Sequence, residues 1–133
     1  MNPKQFLIIG GIVLVLVGIL GFVGVLGPTE GQSIFGSNWW FDNGENWAHL
    51  LGGIVALIAV FTVGPKFQKP LVLIVGLVSL AFGILGFFLP STVPNFLSTT
   101  LENPLDTLLH VIVGLWALLS LKGAKSMMMG GGM

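Results

Sequence analysis

The chain has 133 residues, of which 54% are hydrophobic and only 8% are charged, and its formal net charge is zero. Soluble domains carry about 25% charged residues, so this composition excludes a water-soluble globular protein and makes lipid part of the solvent. The balanced charge does not indicate a nucleic-acid partner. Because the chain has no cysteine, disulfides, thiol nucleophiles and thiolate metal sites are also excluded.

Four apolar stretches are each long enough to cross a membrane, which takes about 20 helical residues. In chain order they lie at about 6–26, 47–63, 71–89 and 105–121. The first is too long for a signal-peptide core, so we expect it to be retained as a helix. We predict an all-α transmembrane four-helix bundle of two hairpins, residues 1–65 and 66–123, followed by a flexible Met/Gly tail at 124–133.

Basic and acidic residues lie at opposite ends of these predicted helices. The basic residues are Lys4, Lys66, Lys69, Lys122 and Lys125. The acidic residues are Glu30, Asp42, Glu45, Glu102 and Asp106. Since short loops that carry lysine stay in the cytoplasm, we predict that both termini and the turn at 64–70 are cytoplasmic. The two longer loops, at about 27–45 and 90–103, then lie outside.

The two hairpins are an internal repeat. Three glycines of the first helix recur in the third at the same spacing; the six are Gly11, Gly18, Gly21, Gly76, Gly83 and Gly86. Both halves enter the membrane in the same direction, so the repeats are parallel, unlike the inverted repeats of many transporters. Small residues let helix backbones approach in lipid, so the stripes indicate helix packing, within or between chains. A groove for a cofactor or a lipid is the alternative.

The second and fourth helices begin with the same motif, which reads acid, Asn or Thr, two apolar residues, His, three residues, Gly. Its members are Glu45, Asn46, His49 and Gly53, and Asp106, Thr107, His110 and Gly114. Acid, His and Gly are four residues apart and therefore share one face of a helix. A carboxylate one turn from an imidazole can accept its N–H and fix its tautomer. Asn46 is the predicted cap of the second helix, with Asp106 or Thr107 serving the fourth.

Three interpretations of the two histidines stay open. In the first, each forms hydrogen bonds to a loop or a neighbouring helix and has a structural role. In the second, His49 and His110 bind haem b axially, or bind zinc together with the two carboxylates. In the third, they handle protons, although no ionisable residue continues toward the other end of the spans. The nearby aromatic residues Trp39, Trp40, Phe41 and Trp47 indicate a membrane-interface belt or a partner surface.

The order of these features resembles a family of small four-helix integral membrane proteins, catalogued as domain of unknown function 4383. The resemblance covers about residues 6–121 and is carried by the glycine-rich first helix, the segment Ile34-Phe35-Gly36 and the two histidine motifs. The family's second motif has Asn after the Asp, where this chain has Thr107. The resemblance implies a multipass protein of the prokaryotic inner membrane and implies no activity.

From these patterns we expect a membrane protein of structural or assembly type without a cofactor, which self-associates or is an accessory subunit of a larger complex. The alternative is a haem- or metal-binding protein that uses His49 and His110. An oligomeric channel or transporter is a third possibility. We expect no enzyme, because the sequence shows no nucleophile–base pair and no cofactor fingerprint.

Overall fold

The computed structural model describes residues 1–88 and 105–131, with side chains as far as 123. Within these ranges the chain forms four α-helices, two short 3-10 helices (Glu30–Gln32 and Gly36–Asn38) and no strand. The helices are α1 (Pro3–Phe22), α2 (Asn43–Thr62), α3 (Pro65–Phe88) and α4 (Leu105–Gly131). Each is long and apolar enough to cross a membrane. The predicted all-helical fold with four candidate spans is thereby confirmed, while the predicted loop at 90–103 lies outside the described residues.

Helix α1 begins and ends earlier than the predicted 6–26. Asn2 caps its start: the Asn2 side chain accepts a hydrogen bond from the Gln5 amide, and the Gln5 side chain accepts one from Asn2. The helix ends at Phe22. Gly24 then has a φ of 87°, which takes the chain out of the helix although the sequence stays apolar.

Helix α2 starts one turn before the predicted position, and its cap is Asp42 instead of Asn46. The Asp42 side chain accepts from the Glu45 amide at 2.9 Å, and Glu45 Oε2 accepts from the Asp42 amide at 2.9 Å. This reciprocal capping box satisfies the free amides of the first turn. The prediction that Asn46 caps the helix is therefore wrong, since Asn46 already lies inside it.

The third and fourth helices are also longer than predicted. Helix α3 starts at Pro65 and includes Pro70 near its beginning. Pro65 suits a first helical position because its missing N–H has no partner to lose there. Helix α4 continues to Gly131, so the backbone is helical where we predict a flexible tail from 124. Ala, Lys and Met favour this continuation.

Helices α1 and α2 pack along each other, and α3 and α4 repeat the arrangement. The glycine stripes lie at these contacts: a Cβ on Gly11 would be 3.2 Å from Gly53 O, and one on Gly76 would be 3.5 Å from Gly114 O. The stripes therefore bring helices together within each hairpin.

The two hairpins meet where α1 contacts α3 and α4. The main apolar core lies near the lysine-bearing end and consists of Phe6, Leu7, Val60, Val72 and Ala117. Phe6 packs edge-on against Trp116 with ring centres 4.5 Å apart, and Trp116 Nε1 donates to Met1 Sδ at 2.8 Å. In each helix, only 28% of an 18-residue apolar stretch is buried inside the chain. Most apolar side chains thus face outward, as expected of helices surrounded by lipid.

Candidate polar site at the acidic end

The two histidine motifs come together at the end of the bundle where α2 and α4 begin, which we call the acidic end. Glu45 and Asp106 are 4% and 2% exposed, and their carboxyl groups lie within hydrogen-bonding reach of each other. Asp42 is close enough to interact electrostatically with both. Residues from the two halves of the repeat therefore form one polar site.

In each carboxyl group of this pair, one oxygen contacts a residue of its own hairpin. Glu45 Oε2 takes part in the capping box of α2. Asp106 Oδ1 lies 3.5 Å from His110 Nδ1. The other two oxygens, Glu45 Oε1 and Asp106 Oδ2, are buried and receive no hydrogen bond from the described part of the chain.

His110 has a defined ring orientation. Its Nδ1 is 2.8 Å from the backbone oxygen of Asp106, one turn earlier in α4. Because a carbonyl oxygen only accepts, Nδ1 carries a proton in this contact. The ring of Phe82 on α3 lies 5.7 Å away. The Asp106 carboxylate lies farther from His110 Nδ1, at 3.5 Å, than the Asp106 backbone oxygen does, at 2.8 Å.

His49 is held differently from its counterpart. Its Nδ1 is buried and has no partner among the described residues, and Glu45 uses its Oε2 in the helix cap. The expected hydrogen bond from His49 to Glu45 is therefore not formed. Phe41 packs edge-on against the His49 ring at 4.9 Å. His49 and His110 are close enough to interact electrostatically, so the two rings occupy the same site.

The first connecting loop covers this site. Phe41 is 3% exposed, and its amide donates to Leu26 O at 2.7 Å, which ties the end of the loop to its start. Trp39 packs on Phe41 at 5.3 Å and its indole reaches the Asp106 carboxyl group, although Nε1 makes no well-aligned hydrogen bond. Sequence reasoning missed this cover. The available signal is that Phe41 precedes the cap residue, where apolar side chains pack back on the helix.

The remaining motif residues serve helix packing. Asn46 and Thr107 are fully buried. Asn46 fills the space beside Gly21, where an added Cβ would collide with its side chain. A Cβ on Gly53 would lie 2.7 Å from Gly11 O, and one on Gly114 would lie 3.0 Å from Gly76 O. Neighbouring helix backbone, and no flat ligand, therefore occupies the room that these glycines leave.

The described residues contain no group of three or more His, Cys, Asp or Glu side chains placed to hold a metal ion. Phe41 packs against the His49 ring, and Phe82 lies beside the His110 ring. A haem or metal site at His49 and His110 stays a prediction from the sequence.

Comparisons with protein-family models, curated proteins and solved structures gave no match. The resemblance to the family of domain of unknown function 4383 therefore stays a prediction as well. Any functional assignment rests on the residues of this site and on the surface of the bundle.

Proposed function

We propose that the chain is a small multipass membrane protein of structural or assembly type, which associates with itself or joins a larger membrane complex. The observation that carries this proposal is the contact between Glu45 and Asp106, one from each half of the repeat. Both are buried, and loop residues cover them. The pair holds the two hairpins in one arrangement, because leaving either buried group without its partner is costly.

The outer surface supports association. Large apolar side chains remain exposed along all four helices, for example Leu16, Val55, Leu77 and Leu119. Small outward positions lie among them: nothing is within 4 Å of a Cβ built on Gly10, and the nearest atom to one on Gly52 is 3.9 Å away. In lipid, helices associate by close van der Waals packing at such small residues.

The test of assembly is the mass of the protein component after extraction in mild detergent or native nanodiscs. We expect a mass that is a multiple of the 14.1 kDa chain, or a co-purifying partner. The variant Gly10→Leu adds bulk to the outward face, and Gly11→Leu is its matched partner on the face buried against α2. Reduced association in Gly10→Leu with an intact fold would support the proposal. A monomer without a partner under all conditions would contradict it.

We also propose that both termini and the turn before α3 are cytoplasmic, with the acidic end and its covering loop outside. The proposal is supported by the position of the lysines, since short lysine-bearing segments stay in the cytoplasm. Single cysteines test it cleanly because the chain has none of its own. In intact cells, a membrane-impermeant maleimide should label Ser37→Cys in the exposed loop and spare Lys66→Cys. The reverse pattern would invert the topology.

A further inference from the structure

The polar site buries two carboxyl groups side by side, and no lysine with a described side chain lies at this end. Asp42, Glu45 and Asp106 meet there, and the last two are almost completely buried. The lysines with described side chains lie at the opposite end, at the start of α1, around the start of α3 and at the end of α4. Two ionised carboxylates buried side by side repel each other strongly, so a bound proton, a cation or a protonated imidazole of the site must neutralise part of their charge.

The titratable and aromatic groups that the described structure places around the carboxyl pair come from both halves of the chain. Asp42 and His49 come from the first half, His110 from α4, the Trp39 indole from the covering loop and the Phe82 ring from beside His110 on α3. Helix α1 places Gly21 and no charged side chain at this end. His110 Nδ1 is already directed at the Asp106 carbonyl, so its proton does not satisfy the remaining carboxyl oxygen.

One oxygen of each carboxyl group has no well-aligned hydrogen-bond donor in the described structure. Glu45 Oε1 and Asp106 Oδ2 receive no well-aligned hydrogen bond from the described chain, where the Trp39 indole N–H is the donor nearest to Asp106. The two carboxyl groups are within hydrogen-bonding reach of each other. A carboxylate only accepts, whereas a carboxylic acid also donates one O–H. One proton therefore converts two repelling acceptors into a short, charge-assisted O–H···O⁻ hydrogen bond.

We propose that Glu45 and Asp106 bind a single proton between them, and that this shared proton joins the two hairpins at the acidic end. This inference rests on the proposed structural function, because it names the bond by which the Glu45–Asp106 contact links the two hairpins. A single proton needs only the two carboxyl groups as partners, whereas a metal ion such as zinc takes about four ligands. Both carboxyl groups are almost completely buried, so the proton is shielded from bulk water.

The decisive measurement is infrared spectroscopy of the intact protein in lipid nanodiscs at neutral pH, in H₂O and in D₂O. We expect a carbonyl stretch of a protonated carboxyl group that shifts after exchange into D₂O. The band should disappear in Glu45→Gln and in Asp106→Asn, and remain in the control Glu30→Gln, whose side chain is exposed in the loop. Absence of the band from the wild-type protein overturns the proposal, and this outcome does not depend on any variant folding.

Thermal unfolding of the same samples gives an independent readout. If one proton is shared, each single amide variant keeps the wild-type unfolding temperature, because the amide N–H donates to the remaining carboxylate. If both groups are ionised, the same variants relieve repulsion and raise that temperature, which would contradict the proposal. A wild-type protein that loses stability when Na⁺ is replaced by choline, and shows no band, would assign the site to a metal cation instead.

The two proposals can fail separately. A strictly monomeric protein that retains the band would contradict the assembly function and leave the shared proton intact. An oligomer without the band would contradict the shared proton alone.

Discussion

Asn46 on α2 occupies the space that the missing side chain of Gly21 leaves on α1. Asn46 is fully buried, and its backbone oxygen also lies 3.0 Å from the position of a Cβ on Gly18. The second half repeats the latter contact, because a Cβ on Gly83 would lie 2.8 Å from Thr107 O. The residue after the motif's acid is therefore a packing residue in both hairpins.

We expect Gly21→Ala to destabilise the protein, since the new Cβ would collide with the Asn46 side chain. Overpacking of this kind typically costs about 1–3 kcal/mol. The free energy of unfolding by denaturant in mixed micelles measures it. Gly10→Ala is the matched control on the same helix, because nothing lies within 4 Å of its Cβ, and it should not lower the stability. Equal effects of the two changes would show that the Asn46–Gly21 contact contributes little.

Removing the cap of α2 should destabilise its first turn and disturb the polar site. Asp42→Ala loses the side chain that accepts from the Glu45 amide, a change that costs about 1 kcal/mol at a typical helix start. Asp42→Asn can still accept this hydrogen bond and should stay close to the wild type in unfolding experiments. Asn43→Ala, at an exposed position one residue later, is the control. If Asp42→Asn were as damaging as Asp42→Ala, the charge and not the cap would be essential.

The covering loop should control chemical access to His49. Phe41→Ala removes the ring that packs against the imidazole, and truncating a buried aromatic residue also costs about 3–5 kcal/mol of stability. Modification by diethylpyrocarbonate, followed by mass spectrometry, should then be several-fold faster at His49. Truncating Trp40, which is only half-buried, should leave the rate near that of the wild type. An unchanged rate in Phe41→Ala would mean that the loop does not protect the site.

The two histidines should respond differently to replacement by Phe. His49→Phe removes a buried ring nitrogen without a described partner and retains an aromatic ring beside Phe41, so stability should be kept. His110→Phe loses the hydrogen bond to the Asp106 carbonyl, worth about 1 kcal/mol. Absorption spectra and metal analysis of the same preparations test the alternative function. A Soret band or stoichiometric metal that both changes abolish would replace the structural assignment with a cofactor site.

Much of the helical architecture is readable from the sequence because the information is local. The apolar stretches are long enough to span a membrane, and the chain is confirmed to form four such helices. Helix ends were less predictable. The hydrophobic pattern extends past Phe22, and the polar start of α2 hides a capping box at Asp42 that precedes its apolar run.

The sequence by itself determined that two similar histidine motifs begin two apolar helices, because a repeat and a helical spacing are properties of the chain alone. Only the tertiary structure decided that Glu45 and Asp106 meet, that the Trp39 indole reaches the Asp106 carboxyl group, and that Phe41 packs against His49. The physical reason is that these contacts depend on how the two hairpins pack and where the loop returns. The local periodicity of a sequence does not encode contacts between distant residues, whereas burial of one half of the chain against the other fixes them.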